Sequence, residues 1–162
     1  MGVSFRPELS YRPEAHTAAL NNAKRISLFI LRTRPGTYQQ VQEVGKLYLE
    51  AYKKAGITEE YWLAYVVRAG MPGNTWIFVE ALPSLAALDR NLEERFIKPL
   101  GEENLKKIGA TIKEITLSEE NIIIGVNPTV SRPTKEMLAA NPSWWKAKPQ
   151  PVTAKTREGK KP

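Results

Sequence analysis

The side chains of this sequence that could hold a ligand are mostly aromatic. Aromatic rings supply a large apolar contact area, while phenol, indole and guanidinium groups supply hydrogen-bond donors. Together they are typical of a pocket for a small apolar or aromatic molecule. The candidate ligand-binding residues are Tyr48, Tyr52, Trp62, Tyr65, Arg68 and Trp76.

Residue types that carry most enzymatic chemistry are scarce. The chain has no Cys, which excludes thiolate nucleophiles and Cys-based metal sites. The single histidine, His16, lies in the N-terminal segment, where we predict a solvated side chain without a role. The adjacent carboxyls Glu59 and Glu60 are interpreted as solvated charge, as are the other acidic pairs. No dinucleotide, phosphate, zinc or nucleophile-elbow motif is present. We therefore predict no catalytic residue, no metal site and no cofactor.

The pattern of apolar residues predicts the elements that position this aromatic set. Segments 25–33, 61–69, 75–81 and 121–126 are β-rich runs bounded by turn residues. A helical repeat follows the first run, and a second follows the third. The order strand, helix, strand, strand, helix, strand is the split βαβ arrangement of ferredoxin-like domains. We predict an α+β fold with a four-stranded antiparallel sheet and helices on one face.

The hairpin formed by the second and third runs sorts its side chains into two surfaces, because the side-chain period of a strand is two. We expect Arg68 to lie opposite Trp76, and Val66 opposite Phe78. One surface is then aliphatic and suited to packing under helices. The other is aromatic, and we expect it to meet a second sheet. The aliphatic surface comprises Leu63, Tyr65, Val67, Ile77 and Val79, and the aromatic one Trp62, Ala64, Val66, Arg68, Trp76, Phe78 and Glu80.

The aromatic surface predicts self-association, since a monomer would expose a larger apolar patch than soluble proteins usually tolerate. We predict a homodimer closed sheet to sheet, with Arg68 and Glu80 near the rim of the interface or paired across its two-fold axis. The candidate interface residues are Phe29, Leu31, Val66, Trp76 and Phe78.

Several motifs within residues 25–89 resemble those of a known superfamily. They are Arg34-Pro35-Gly36 before the first helix, residues 70–74 in the hairpin, and Pro83-Ser84-Leu85 after the third strand. The chain resembles the dimeric α/β-barrel superfamily of antibiotic-biosynthesis-monooxygenase-like and NIPSNAP-like domains. The resemblance implies two four-stranded sheets packed face to face. Some relatives are cofactor-independent monooxygenases or haem-degrading enzymes that use Asn, Trp and His or Arg near a cavity between helices and sheet. Of that set of residue types, this sequence matches only Trp and Arg.

Composition divides the chain into four parts. Residues 1–24 are predicted to be an N-terminal arm, 25–127 the ferredoxin-like domain, 128–148 a Trp-containing extension, and 149–162 a disordered basic tail. The net charge is +7, of which the last seventeen residues carry +5 from six basic side chains and one acidic one. Because the remainder is nearly balanced at +2, we expect no nucleic-acid binding beyond weak polyanion binding by the tail.

Two function classes remain open at this stage. The favoured one is a non-catalytic dimeric barrel module that binds a small apolar ligand or a protein partner. The alternative is a cofactor-independent monooxygenase-like enzyme acting on an aromatic substrate. The sequence has no membrane-spanning apolar run, and its first residues lack the apolar core of a signal peptide, which predicts a cytoplasmic protein.

Overall fold

A five-stranded antiparallel sheet is the centre of the fold in the computed structural model, which describes residues 1–90 and 92–146. The strands lie in the order β1-β3-β4-β2-β5. The predicted tail 149–162 lies outside the described residues. The strands are β1 (Gly2–Phe5), β2 (Arg25–Thr33), β3 (Leu63–Ala69), β4 (Thr75–Leu82) and β5 (Thr116–Gly125).

Six α-helices occur in the described part of the chain, and two short 3₁₀ turns, Pro7–Leu9 and Leu85–Asp89, join other elements. In this part of the chain no helix is long and apolar enough to cross a membrane. The helices are α1 (Pro13–Leu20), α2 (Tyr38–Lys54), α3 (Glu93–Leu100), α4 (Glu102–Ile115), α5 (Lys135–Ala140) and α6 (Pro142–Trp145).

The predicted α+β class and ferredoxin-like order are confirmed, with one correction to the sheet. Strands β3-β4-β2-β5 form the expected four-stranded core, with α2 and α4 as its connecting helices. The fifth strand, β1, comes from the N-terminal arm and pairs with β3. Four residues ahead of Arg6-Pro7 are too short a run to show a periodic pattern, so the sequence did not reveal this strand.

The hairpin register differs from the predicted one by two residues. Val66 lies opposite Trp76, and Ala64 lies opposite Phe78. Since a shift of two preserves the side-chain alternation, the division of the hairpin into an aromatic and an aliphatic surface holds.

The two surfaces face the opposite way from the prediction. The aromatic surface lies under the helices, where Trp76 is 1% exposed and its ring centroid is 5.0 Å from that of Tyr38 on α2. Of the residues predicted for the dimer interface, Leu31, Val66 and Trp76 are buried within this chain, and Phe29 and Phe78 are partly buried against the same core. Trp76 packs there between the Tyr38 ring and the buried side chain of Val41, both on α2. The corrected residues, which lie in or against this core, are Phe29, Leu31, Val66, Trp76 and Phe78.

The aliphatic surface forms the other face of the sheet, which we call the open face. At its centre Ile30, Val67 and Ile77 pack together. At its edges, on β1 and β5, four apolar side chains are between 39 and 46% exposed. Those four are Val3, Phe5, Ile122 and Ile124.

The N-terminal arm and the described part of the C-terminal extension are both hydrogen-bonded to the domain. The N-terminal arm runs along β3, where the amide of Arg6 donates to the carbonyl of Ala64 over 2.8 Å. His16, predicted to be solvated, is instead 1% exposed and packs edge-on against Tyr61. In the C-terminal extension, Trp145 Nε1 donates to the carbonyl of Asn21 over 2.8 Å. The extension therefore folds back onto the turn between α1 and β2.

Candidate functional site

A cavity of about 540 Å³ lies between α2 and the aromatic surface of the sheet. We call it the main cavity. Its floor is made by β2 and β4, and its roof by α2 with one residue of α4. Apolar side chains make up most of its walls, which is typical of sites for small organic molecules. Those apolar residues are Leu9, Phe29, Leu31, Val41, Val44, Phe78 and Ile112.

Helix α2 places its side chains in the main cavity by its periodicity. Val41, Val44, Tyr48 and Tyr52 recur at intervals of three and four residues, so they share one helical face. Polar residues between them point away from the sheet. The pattern visible in the sequence therefore produces the roof of the cavity directly.

The N-terminal arm closes one side of the main cavity. Leu9 is buried there, and its backbone carbonyl accepts a hydrogen bond of 2.9 Å from Trp62 Nε1. Its side chain lies against Gly45 of α2 so closely that a Cβ atom on Gly45 would be 2.6 Å from Leu9 Cδ2. The missing side chain of Gly45 is what allows the arm to reach the helix at this point.

Aromatic contacts hold the cavity walls in fixed orientations. The rings of Tyr52 and Trp62 meet nearly at right angles, with centroids 5.1 Å apart. The ring of Tyr48 stacks on Phe96 of α3 at 5.0 Å. Such pairs add stability beyond their buried area and fix the ring planes. The phenol and indole groups therefore present defined faces to any occupant.

Two carboxyl groups, those of Glu60 and Glu80, lie at one end of the main cavity, close enough that each shifts the pKa of the other. Glu60 comes just before β3 and Glu80 lies within β4. Arg90 Nη1 donates to Glu60 Oε1 over 3.0 Å and to the carbonyl of Glu59 over 2.6 Å. The Glu60 side chain is only 16% exposed. A pair of acids in such an environment resists losing both protons.

The electrostatics of the pair follow from its burial. Burial, reinforced by the charge of Glu60, raises the pKa of Glu80 to about 7. Burial also raises the pKa of Glu60, although Arg90 opposes this shift. Glu80 is therefore the acid of the pair that keeps its proton up to about neutral pH. Burial raises the pKa of Tyr52 to about 12, so its phenol stays protonated.

A second cavity of about 430 Å³ adjoins the main one and shares Tyr52, Glu60 and Glu80 with it. Its other walls come from the segment that follows β4, including Arg90, and from Phe96 of α3. The carboxyl pair thus stands at the boundary between the two spaces. Among the described residues, no three His, Cys, Asp or Glu side chains are grouped so that they could hold a metal ion.

The structure brings together only part of the predicted ligand set. Tyr48, Tyr52 and Trp62 line the main cavity. Tyr65 lies on the open face instead, opposite Ile77. Arg68 is exposed, and its Nε donates to Ser4 Oγ over 3.0 Å. Trp76 is packed beneath α2 outside the cavity lining, whereas Phe29, Leu31 and Phe78, predicted for the interface, line the cavity.

Sequence reasoning missed the carboxyl pair, although a signal was present. Glu60 lies two residues before Trp62, and Glu80 lies two residues after Phe78. The alternation of a strand places both acids on the aromatic surface. We interpreted Glu60 as solvated because it neighbours Glu59, and expected Glu80 at a rim because that surface was assigned to a dimer interface. Both interpretations are corrected by the covering helices.

Comparison with known proteins finds five similar chains of solved structure, of which three are described next. Two are of protein Atu4242 from Agrobacterium tumefaciens, one of them described as a nipsnap family protein with unknown function; both are 16% identical to this chain, with TM-scores of 0.44 and 0.45. They cover 64 and 65% of this chain and 93 and 89% of theirs. The third is an uncharacterized NIPSNAP-like domain protein from Burkholderia xenovorans, which is 14% identical with a TM-score of 0.46. The match covers 67% of this chain and 89% of that protein's chain. No protein-family model and no curated protein matches the sequence.

Proposed function

We propose that this chain is a non-catalytic binding module that holds a small, largely apolar organic molecule in the main cavity. The observation that carries the proposal is the cavity of about 540 Å³, which has mostly apolar walls and the carboxyls of Glu60 and Glu80 at one end. Its volume falls within the range of roughly 300–1,000 Å³ common for small-molecule sites. The fixed rings of Tyr52 and Trp62 favour an aromatic or flat aliphatic skeleton.

The test is equilibrium binding of the neutral fluorescent probe N-phenyl-1-naphthylamine. Val44 lines the main cavity, so Val44→Phe fills part of the space without removing a polar group. Val130, 78% exposed and distant in sequence from the cavity residues, provides the matched control Val130→Phe. We expect saturable binding of the probe that weakens at least about tenfold in Val44→Phe, because the probe cannot enter the space that the new phenyl ring fills. Equal binding by both variants would contradict the proposal.

We further propose that two copies associate through the open face. Its exposed edge residues on β1 and β5 flank the partly buried Leu28, Tyr65 and Val79, which surround the buried centre at Ile77, so apolar side chains extend across the sheet. Burial of such a surface favours association by about 25 cal/mol per Å² before ordering costs. In such a homodimer the two sheets face each other and the main cavities lie on the outer sides, beneath the helices.

One observation favours the second function, a monooxygenase-like enzyme acting on an aromatic substrate. A carboxyl group with a pKa of about 7, such as that of Glu80, accepts and returns protons at neutral pH. It could take a proton from a phenol held against the aromatic wall. If this function holds, oxygen uptake with reduced naphthols will be catalytic in the unmodified chain and lost in Glu80→Gln. If oxygen uptake does not exceed that of the buffer, the enzymatic function is wrong and the binding function is the one that remains.

A further inference from the structure

We propose that the molecule held in the main cavity is an organic amine, whose ammonium group lies between the carboxyls of Glu60 and Glu80 while its carbon skeleton occupies the apolar part. This inference rests on the proposed binding function and adds the chemical class of the ligand. It is drawn from three independent features of the cavity, which are the sign of its charges, the state of the carboxyl pair and the nature of its walls.

The charged side chains that line the main cavity are all acidic. Glu60, Glu80 and Glu119 contribute to its walls, while the described lining residues include no Lys, Arg or His. This contrasts with the chain as a whole, whose net charge is +7. A basic protein that surrounds an internal space with carboxyls selects against anions and for cations, because like charges at close range are costly in a medium of low dielectric.

The two acids of the carboxyl pair have one cationic side chain, Arg90, in contact with them. Arg90 contacts Glu60 over 3.0 Å from the side of the second cavity. In the free protein the raised pKa of Glu80 keeps a proton on this pair up to about neutral pH, in place of a second cation. An ammonium group can take over that role, since it carries one charge and three donors and can reach both carboxylates.

Replacement of the Glu80 proton by the ligand ammonium group conserves atoms and charge and needs no other reactant. The incoming ligand keeps its N–H bonds and its charge, the Glu80 carboxyl loses its proton to solvent, and the ammonium donates hydrogen bonds to the two carboxylates. Four charges then alternate in sign between Arg90, Glu60, the ligand and Glu80. No covalent bond other than the O–H of Glu80 is broken.

The walls beside the pair suit a cation attached to an apolar skeleton. Tyr52 belongs to both cavities and stands against Trp62, so electron-rich ring faces adjoin the carboxyls. Cations are attracted to the faces of Trp and Tyr rings, and the attraction grows where water is excluded. Beyond them, Phe29, Phe78 and Val44 offer only apolar surface to the remainder of the ligand.

The pH response of the site is set by the groups around Glu80. Glu60 faces it from the start of β3, Arg90 from the segment after β4, Tyr52 from α2, and Tyr61 from beside Glu60. The raised pKa values of both tyrosines keep their phenols neutral. The carboxyl pair is therefore the part of this set that titrates near neutrality, and amine binding should displace its proton.

The test compares three probes with one skeleton by isothermal titration calorimetry at about pH 8, above the pKa of Glu80. They are 2-(1-naphthyl)ethylamine, 2-(1-naphthyl)ethanol and 1-naphthylacetate. We expect the amine to bind at least about tenfold more tightly than the alcohol, the scale of one charge-assisted hydrogen bond, and the acetate to bind most weakly. Glu80→Gln should remove most of the preference for the amine over the alcohol. The matched control is Glu50→Gln, an exposed acid on α2, which should change nothing.

A second measurement on the unmodified chain does not depend on a variant that folds. At about pH 6, amine binding in buffers of different ionisation enthalpy should release a proton count approaching one, because Glu80 is protonated there. If the alcohol binds as tightly as the amine, or if the amine releases no proton, the inference is wrong while the binding function stands. If neither the three probes nor N-phenyl-1-naphthylamine binds, the binding function itself fails.

Discussion

The carboxyls of Glu60, just before β3, and Glu80, on β4, lie close together at one end of the main cavity, and each shifts the pKa of the other. Burying two acids side by side destabilises a fold unless a proton or a cation compensates. Groups whose pKa is shifted in this way are concentrated at functional sites. This pair, together with the space beside it, is why we assign a ligand-binding function to the main cavity.

The first prediction concerns stability against pH. The folded-state pKa of Glu80, about 7, lies above its ordinary value of 4.5, so its contribution to stability is complete below about pH 4.5 and is lost as the pH rises toward 7. The loss amounts to at most about 3 kcal/mol, at 1.36 kcal/mol per pKa unit. Glu80→Gln keeps a donor toward Glu60 and removes the titration.

Urea unfolding at several pH values checks this. We expect Glu80→Gln to match the unmodified chain near pH 4.5 and to be more stable by about 1–3 kcal/mol near pH 8. Parallel stability curves for the two proteins would show that Glu80 is not buried as described.

The second prediction concerns the contact between the arm and α2. A methyl group at residue 45 would lie 2.6 Å from Leu9 Cδ2, so Gly45→Ala must push Leu9 toward the cavity. A Cβ atom added to Gly109 on α4 would have no atom within 4 Å. Gly109→Ala therefore changes only the helix propensity, which stabilises the fold by about 1 kcal/mol. We expect Gly45→Ala to be less stable than Gly109→Ala by about 1–3 kcal/mol, the usual cost of overpacking.

The same pair of variants also reports on the cavity. Because a displaced Leu9 side chain takes up ligand space, Gly45→Ala should bind N-phenyl-1-naphthylamine more weakly, and Gly109→Ala should bind it normally. Equal stability and equal probe binding would show that Leu9 does not wall the cavity.

The third prediction concerns self-association. Ile122 on the open face and Leu105 on the helical side are each 39% exposed, which makes them a matched pair. A buried, unpaired carboxylate is strongly disfavoured, so Ile122→Glu should convert a dimer to monomers. Leu105→Glu should leave the dimer intact. Sedimentation equilibrium distinguishes the two, and a monomeric unmodified chain at micromolar concentration would refute the association through the open face.

How far the sequence predicts this structure depends on the range of the interactions involved. The alternation of Trp62, Val66, Trp76 and Phe78 is local, and it correctly divided the hairpin into two surfaces. Which surface the helices cover is decided by the joint fit of α2 and the sheet, and an aromatic composition alone does not determine it. The aromatic surface was therefore assigned to the wrong side.

The site shows the same limit. Tyr48 and Tyr52 were predicted as ligand residues because helical periodicity places them on the face that packs on the sheet. Leu9 escaped prediction because its position depends on pairing between the arm and β3, some 50 residues away in the chain. The proximity of Glu60 to Glu80 likewise depends on long-range pairing, because Glu60 precedes β3 and β3 pairs with β4.

The most direct test of the central claim is to locate the bound molecule by methyl NMR. We expect N-phenyl-1-naphthylamine, added to the selectively methyl-labelled chain, to shift the resonances of Leu9, Val41 and Val44, which line the main cavity. The methyl groups of Val67 and Ile77, on the open face, should remain unchanged. Shifts confined to Val67 and Ile77 would place binding on the open face and contradict the account.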